Sequence, residues 1–139
     1  TIWAQANLMR ARGFALSHPE LAIKILEDVE RELLLLRDSG IWNPDIARRY
    51  CAALSARMSL NKSESRGWST IVETLAPMVS QIPPETQMIY AEANFRIGKS
   101  STAEIIVKRL DEAGYRHPDF VQLLEEFPSL KAAVERRVH

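Results

Sequence analysis

Breakers cut this chain at short, regular intervals, and the text between the cuts suits helices. His18-Pro19, Ser39-Gly40 with Asn43-Pro44, Asn61-Lys62-Ser63, Pro83-Pro84, Gly98-Lys99-Ser100, Gly114 through Pro118, and Pro128 are the punctuation. They leave segments of about 12 to 20 residues, the ordinary length of a globular helix. Ala, Leu, Glu, Arg, Lys, Gln and Met dominate those segments, all good helix formers. No stretch alternates apolar and polar residues with period two, and no Asn-Gly hairpin turn occurs. The class predicted is all-α: helices near 2–17, 19–37, 44–60, 64–81, 85–97 and 100–113, closed by short ones near 119–126 and 128–137.

Spacing within the segments supports this. From Pro19 to Arg37 the apolar set Leu21, Ile25, Val29 and Leu33 recurs every fourth residue, widened by Ala22, Leu26 and Leu36. Pro19 stands in a first turn, where the missing amide has no intrahelical partner to lose. Ser100 or Ser101 is expected to cap the helix carrying Ala103, Ile106, Val107 and Leu110, with Glu104 completing a capping box. Val121, Leu124 and Phe127 mark the next apolar stripe, and Leu130, Ala133 and Val134 the last. Arg136 and Arg137 suit the C-terminal end of the final helix.

Turns at His18, Asn61 and Gly98 fall about 40 residues apart, each between two helical segments and followed by a Pro-bearing link. One such hairpin cannot bury its own apolar face, whereas a stack can. The third unit is the most specific. Tyr90-Ala91-Glu92-Ala93-Asn94-Phe95-Arg96-Ile97-Gly98-Lys99, then Ala103, then Pro118-Asp119-Phe120 resembles a tetratricopeptide repeat. That family sets a large and a small residue side by side (here Tyr90 and Ala91), then the turn glycine (Gly98) and a small residue in the second helix (Ala103). Ala113 to His117 delay the closing Pro-Asp-hydrophobic group by about three residues. The first unit matches more loosely, with Met9 and Arg10 at the pair, Ser17-His18 at the turn and Ala22 at the packing position. The second has Asn61 at the turn and Trp68 near the packing position.

The resemblance implies a right-handed α-solenoid of about three stacked hairpins with short C-terminal capping helices. It also implies a protein-interaction scaffold, with a partner's peptide or helix held in a groove lined by the first helix of each hairpin. In the register of the third unit, the groove residues are Glu85, Met88, Glu92, Phe95 and Arg96. In the second they are Arg48, Ser55 and Met58, and in the first Asn7, Ala11 and Phe14. The alternatives are a self-association module forming homo-oligomers, and a regulatory helical domain of a larger enzyme or transport protein.

Other functions find little support. Eighteen Lys+Arg balance eighteen Asp+Glu, without the basic surplus of a nucleic-acid binder. No apolar run approaches the roughly 18 residues of a membrane span. Cys51 is the single cysteine, so no intrachain disulfide forms, and a cytoplasm and a periplasm both suit it. The opening on Thr1 rather than Met suggests a piece of a longer protein. His18, His117 and His139 stand at turns or the terminus without metal-ligand spacing. Ile97-Gly98-Lys99-Ser100 lacks the earlier glycine and preceding strand of a phosphate loop, having Ala93 and a helix instead. No catalytic set and no cofactor are expected. Of Trp3, Trp42 and Trp68, Trp42 in its link is the one expected to be exposed.

Overall fold

The computed structural model describes residues 2–61 and 64–136. Its described residues are helical and turn, without strands: α1 (Ile2–Phe14), α2 (Pro19–Asp38), α3 (Pro44–Leu60), α4 (Arg66–Leu75), a 3-10 segment Ala76–Gln81, α5 (Pro84–Arg96), α6 (Ser100–Glu112), α7 (Pro118–Glu126) and α8 (Pro128–Glu135). The chain divides into two compact units, Thr1–Ile82 and Pro83–His139.

In the first unit α1 packs on α2, α2 on α3 and α3 on α4, while α1 also touches α3. The core of α2 is Ala22, Ile25, Leu26, Val29 and Leu33, which fall on one stripe of a 3.6-residue period. Leu21 and Leu36 lie at its edges, Leu21 exposed and Leu36 half-buried. From α3 and α4 the core takes Tyr50, Leu54, Met58, Trp68, Ile71 and Leu75. Met58 meets α4 at Gly67, where an added Cβ would come within 2.8 Å of the Met58 Sδ. The close-approach residue of that hairpin is therefore Gly67 and not its neighbour Trp68.

In the second unit α5 packs on α6, α6 on α8, and α7 on α8. Ala91 and Ala103 are both fully buried, as close approach of α5 and α6 requires. Ile106, Val107, Leu110, Leu130, Ala133 and Val134 fill the core as their spacing predicts. On α7 the stripe is rotated: Phe120 and Leu123 are buried, Val121 is exposed, and Leu124 and Phe127 are half-buried.

Helix ends explain the boundaries. Asn43 accepts a hydrogen bond from the Ile46 amide at 2.9 Å and caps α3, with Pro44 at its first position. At the end of α5, Gly98 takes φ +90 and donates to Phe95 O at 3.1 Å, while Lys99 donates to Asn94 O at 2.8 Å. This nested pair satisfies carbonyls that the helix leaves open, and needs a left-handed residue that glycine supplies without strain. Gly40 and Gly114 close α2 and α6 in the same way.

Two expectations fail. Neither Ser100 nor Ser101 caps α6: Lys99 holds the cap position without a side-chain bond, and Glu104 accepts from Arg136 at 3.4 Å instead. The expected helix over 64–81 breaks after Leu75. Pro77 has no amide to donate and its ring crowds the carbonyl four residues back, so the chain tightens into the 3-10 segment, with Met78 at φ −120, ψ 19. Pro77 itself carried that signal. Arg137 lies outside the described residues, while Arg136 stands at the C-cap of α8.

Candidate interaction surfaces

The expected groove residues fall into three environments. Met58 is 2% exposed and belongs to the core, so it reaches no partner, and Ala11 is equally buried. Both were expected on the groove face. Large side chains on a first helix look like binding anchors in sequence, yet α3 turns Met58 inward to cover Gly67.

On α1, Asn7 is half-buried, with its amide donating to Trp3 O at 3.0 Å. Phe14 is half-buried, edge-on to His18 with centroids 5.8 Å apart, and Arg10 lies over its ring at 5.9 Å. On α3, Arg48 pairs with Asp45, and Arg49 bonds to Asp45 at 3.2 Å and to Gln5 of α1 at 2.6 Å. The Arg48 hydrogen bond, with Arg49 adding to it, holds the Asp45 carboxyl below the usual carboxylate value. Gln5, Asp45, Arg48 and Arg49 thus form one polar surface where α1 and α3 touch. Ser55 is half-buried further along α3.

On α5, Glu92, Phe95 and Arg96 do come together, but with the chain's own C-terminal helices. Arg96 bonds to Glu92 at 2.9 and 3.0 Å and to Glu126 at 2.9 Å. Phe95 packs against Phe127 with ring centroids 4.9 Å apart, and the Arg96 guanidinium lies 5.0 Å from the Phe127 centroid. The Arg96 cation thus stands between two carboxylates and over an aromatic face, each contact strengthened by its charge. Met88 is half-buried and Glu85 exposed on the same helix. Glu126 and Phe127 were not anticipated as parts of this cluster, although Phe127-Pro128 marked a helix boundary.

Two grooves of about 370 Å³ open on the first unit. One runs along α2 between Glu27, Glu30, Arg31, Leu34, Leu35 and Arg57. At its floor Arg57 holds Glu30 through two bonds of 2.6 and 3.1 Å, and the guanidinium is raised above its ordinary pKa chiefly by that hydrogen bond. Glu64 stands 3.8 Å away on the other side of Arg57. This mostly buried pair joins α2 to α3, and the cost of desolvating both charges offsets much of their attraction. The other groove lies between Trp3, Glu32, Leu33 and Leu36. Trp3 is 47% exposed, whereas Trp42 is half-buried against Tyr50 and Trp68 is buried. The exposed tryptophan is therefore Trp3 rather than Trp42.

The nucleophile and ligand candidates have structural surroundings. Cys51 is fully buried, and burial pushes its thiol up to about 12, so it holds its proton. His117 Nδ1 accepts from the Asp119 amide at 3.1 Å and caps α7, and His18 sits at a turn beside Ser17. His139 lies outside the described residues. Among the described residues no three His, Cys, Asp or Glu side chains group as a metal site, and no helix is long and apolar enough to cross a membrane. No protein-family model matches the chain, and no curated protein or solved structure matches it significantly.

Proposed function

We propose that this chain is a scaffold of tetratricopeptide-like hairpins, α1/α2, α3/α4 and α5/α6, that binds a peptide or helix of a protein partner on its first helices. One observation supports this most. The face of α5 assigned to ligand holds Glu126 and Phe127, an acidic and an aromatic side chain at the end of a helix, through Arg96 and Phe95. A first helix of this chain therefore already recognises a helix end by charge and ring packing, the mode the scaffold uses on a partner. In the second unit that face is engaged internally by the closing helices. In the first unit the equivalent surface lies where α1 meets α3, around Gln5, Arg48 and Arg49.

The test is comparative capture with chemical cross-linking, using the whole chain beside an Arg48→Glu variant of matched melting temperature. A protein cross-linked to α1 or α3 by the wild type and lost by the variant is the expected result. Equal capture by both would remove this surface from the function.

A further inference from the structure

We infer that the outer face of α1 is a docking strip for an amphipathic helix of a partner that carries carboxylates beside its apolar seam. The inference rests on the scaffold reading and adds a place and a chemistry to it. Trp3, Ala6, Arg10 and Gly13 follow the spacing of three, four and three residues that aligns one stripe of a helix, and Met9 borders it. Every one of them is exposed, with Trp3 at 47% and Met9 at 64%, and Leu16 in the following turn is 100% exposed. The opposite side of α1 is the buried one, filled by Ala4 and Ala11.

An ordinary surface helix keeps its large apolar groups inside, whereas α1 leaves Trp3 and Met9 on the outside beside its polar residues. Between the large groups stand Ala6 and Gly13, and a Cβ built on Gly13 meets nothing within 4 Å. Small residues between large ones let a second helix come close, with its side chains set into the gaps. From Trp3 to Gly13 the strip spans about 15 Å, close to three helical turns of partner.

Charge selects the occupant. Helix α1 contains Arg10 and Arg12 and no acidic residue, and among the described residues neither arginine forms an ion pair. Arg10 lies near the middle of the strip, held over the Phe14 ring, whereas the acidic neighbour Glu32 borders only the Trp3 end. A carboxylate on the incoming helix completes Arg10. A second copy docked strip to strip does not, because α1 has no acidic residue to bring to Arg10.

The experiment uses the full chain and two labelled synthetic helical peptides of three heptads, with leucine seams flanked by glutamate in one and by lysine in the other. Fluorescence anisotropy should show the glutamate peptide binding about tenfold or more tightly than the lysine peptide. Arg10→Glu should reverse the preference, and Gly13→Leu, whose side chain enters open space and spares the fold, should weaken binding about tenfold. Trp3 emission should shift to the blue on binding, a change absent from Trp3→Phe. Absence of binding, or binding indifferent to Arg10→Glu and Gly13→Leu, overturns the inference. If the indifferent binding is instead lost in Arg48→Glu, the α1–α3 surface stands and only the strip falls. Concentration-dependent sedimentation of the wild type, abolished by Gly13→Leu, would assign the strip to a second copy and equally overturn it.

Discussion

Cys51 lies wholly inside the first unit, where Thr74 hydrogen-bonds to it. Its proton links stability to pH with a definite sign. Well below pH 9.0, the ordinary thiol value, folded and unfolded chains both keep that proton, and Cys51 contributes its full stabilisation. From there to about 12 only the unfolded chain ionises, so stability falls by about 1.4 kcal/mol per pH unit. Burial raises Tyr50 and Tyr115 too, but their ordinary value is 10.0, so the first unit of that window belongs to Cys51. Urea unfolding at pH 8 and at about pH 10 should therefore differ for the wild type and much less for Cys51→Ala. A thiol reagent should label Cys51 only as fast as the unit opens. Fast labelling of the native chain would contradict the buried thiol.

At the scale of an element, helix ends carry as much information as helix faces. Gly98 takes φ +90 in open space, so a substituted side chain meets only backbone strain. Gly98→Ala should cost about 1 kcal/mol, lowering the melting temperature, while Gly13→Ala should leave it unchanged or raise it. Equal effects at the two positions would mean that the α5–α6 turn relaxes to another conformation. Proline and glycine positions made most helix boundaries legible beforehand, because a missing amide or a left-handed residue acts locally. Pro77 is the instructive miss: the apolar text continues through it, but the helix does not. The capping box expected of Ser101 and Glu104 is absent because the helix starts at Ser100 with Lys99 at the cap, two residues before Ser101, which puts both serines inside the first turn.

For the whole molecule, two compact units with separate cores set the expectation. Ala103 is fully buried where α6 packs on α5, and tryptophan there overfills the site. In Ala103→Trp, amide exchange should lose protection across Pro83–His139 while helices of Thr1–Ile82 retain theirs. Loss throughout the chain would show that the units fold together. Protection unchanged everywhere would show that α5 and α6 have room at Ala103, against its burial.

The sequence alone determined the helical class, nearly every helix span, and the cores of α2, α6 and α8, since periodicity and breakers are local properties. The groove face was much less legible. Met58 points into the core because Gly67 opens a space opposite it, and Glu92, Phe95 and Arg96 meet Glu126 and Phe127 some 30 residues on. Helix α1 shows the limit best. Its composition is apolar on both sides, so no moment distinguishes them, and only packing against α2 and α3 decides that Ala4 and Ala11 turn inward. Close approach favours the alanines on the buried side, and Trp3 and Met9 are left facing solvent.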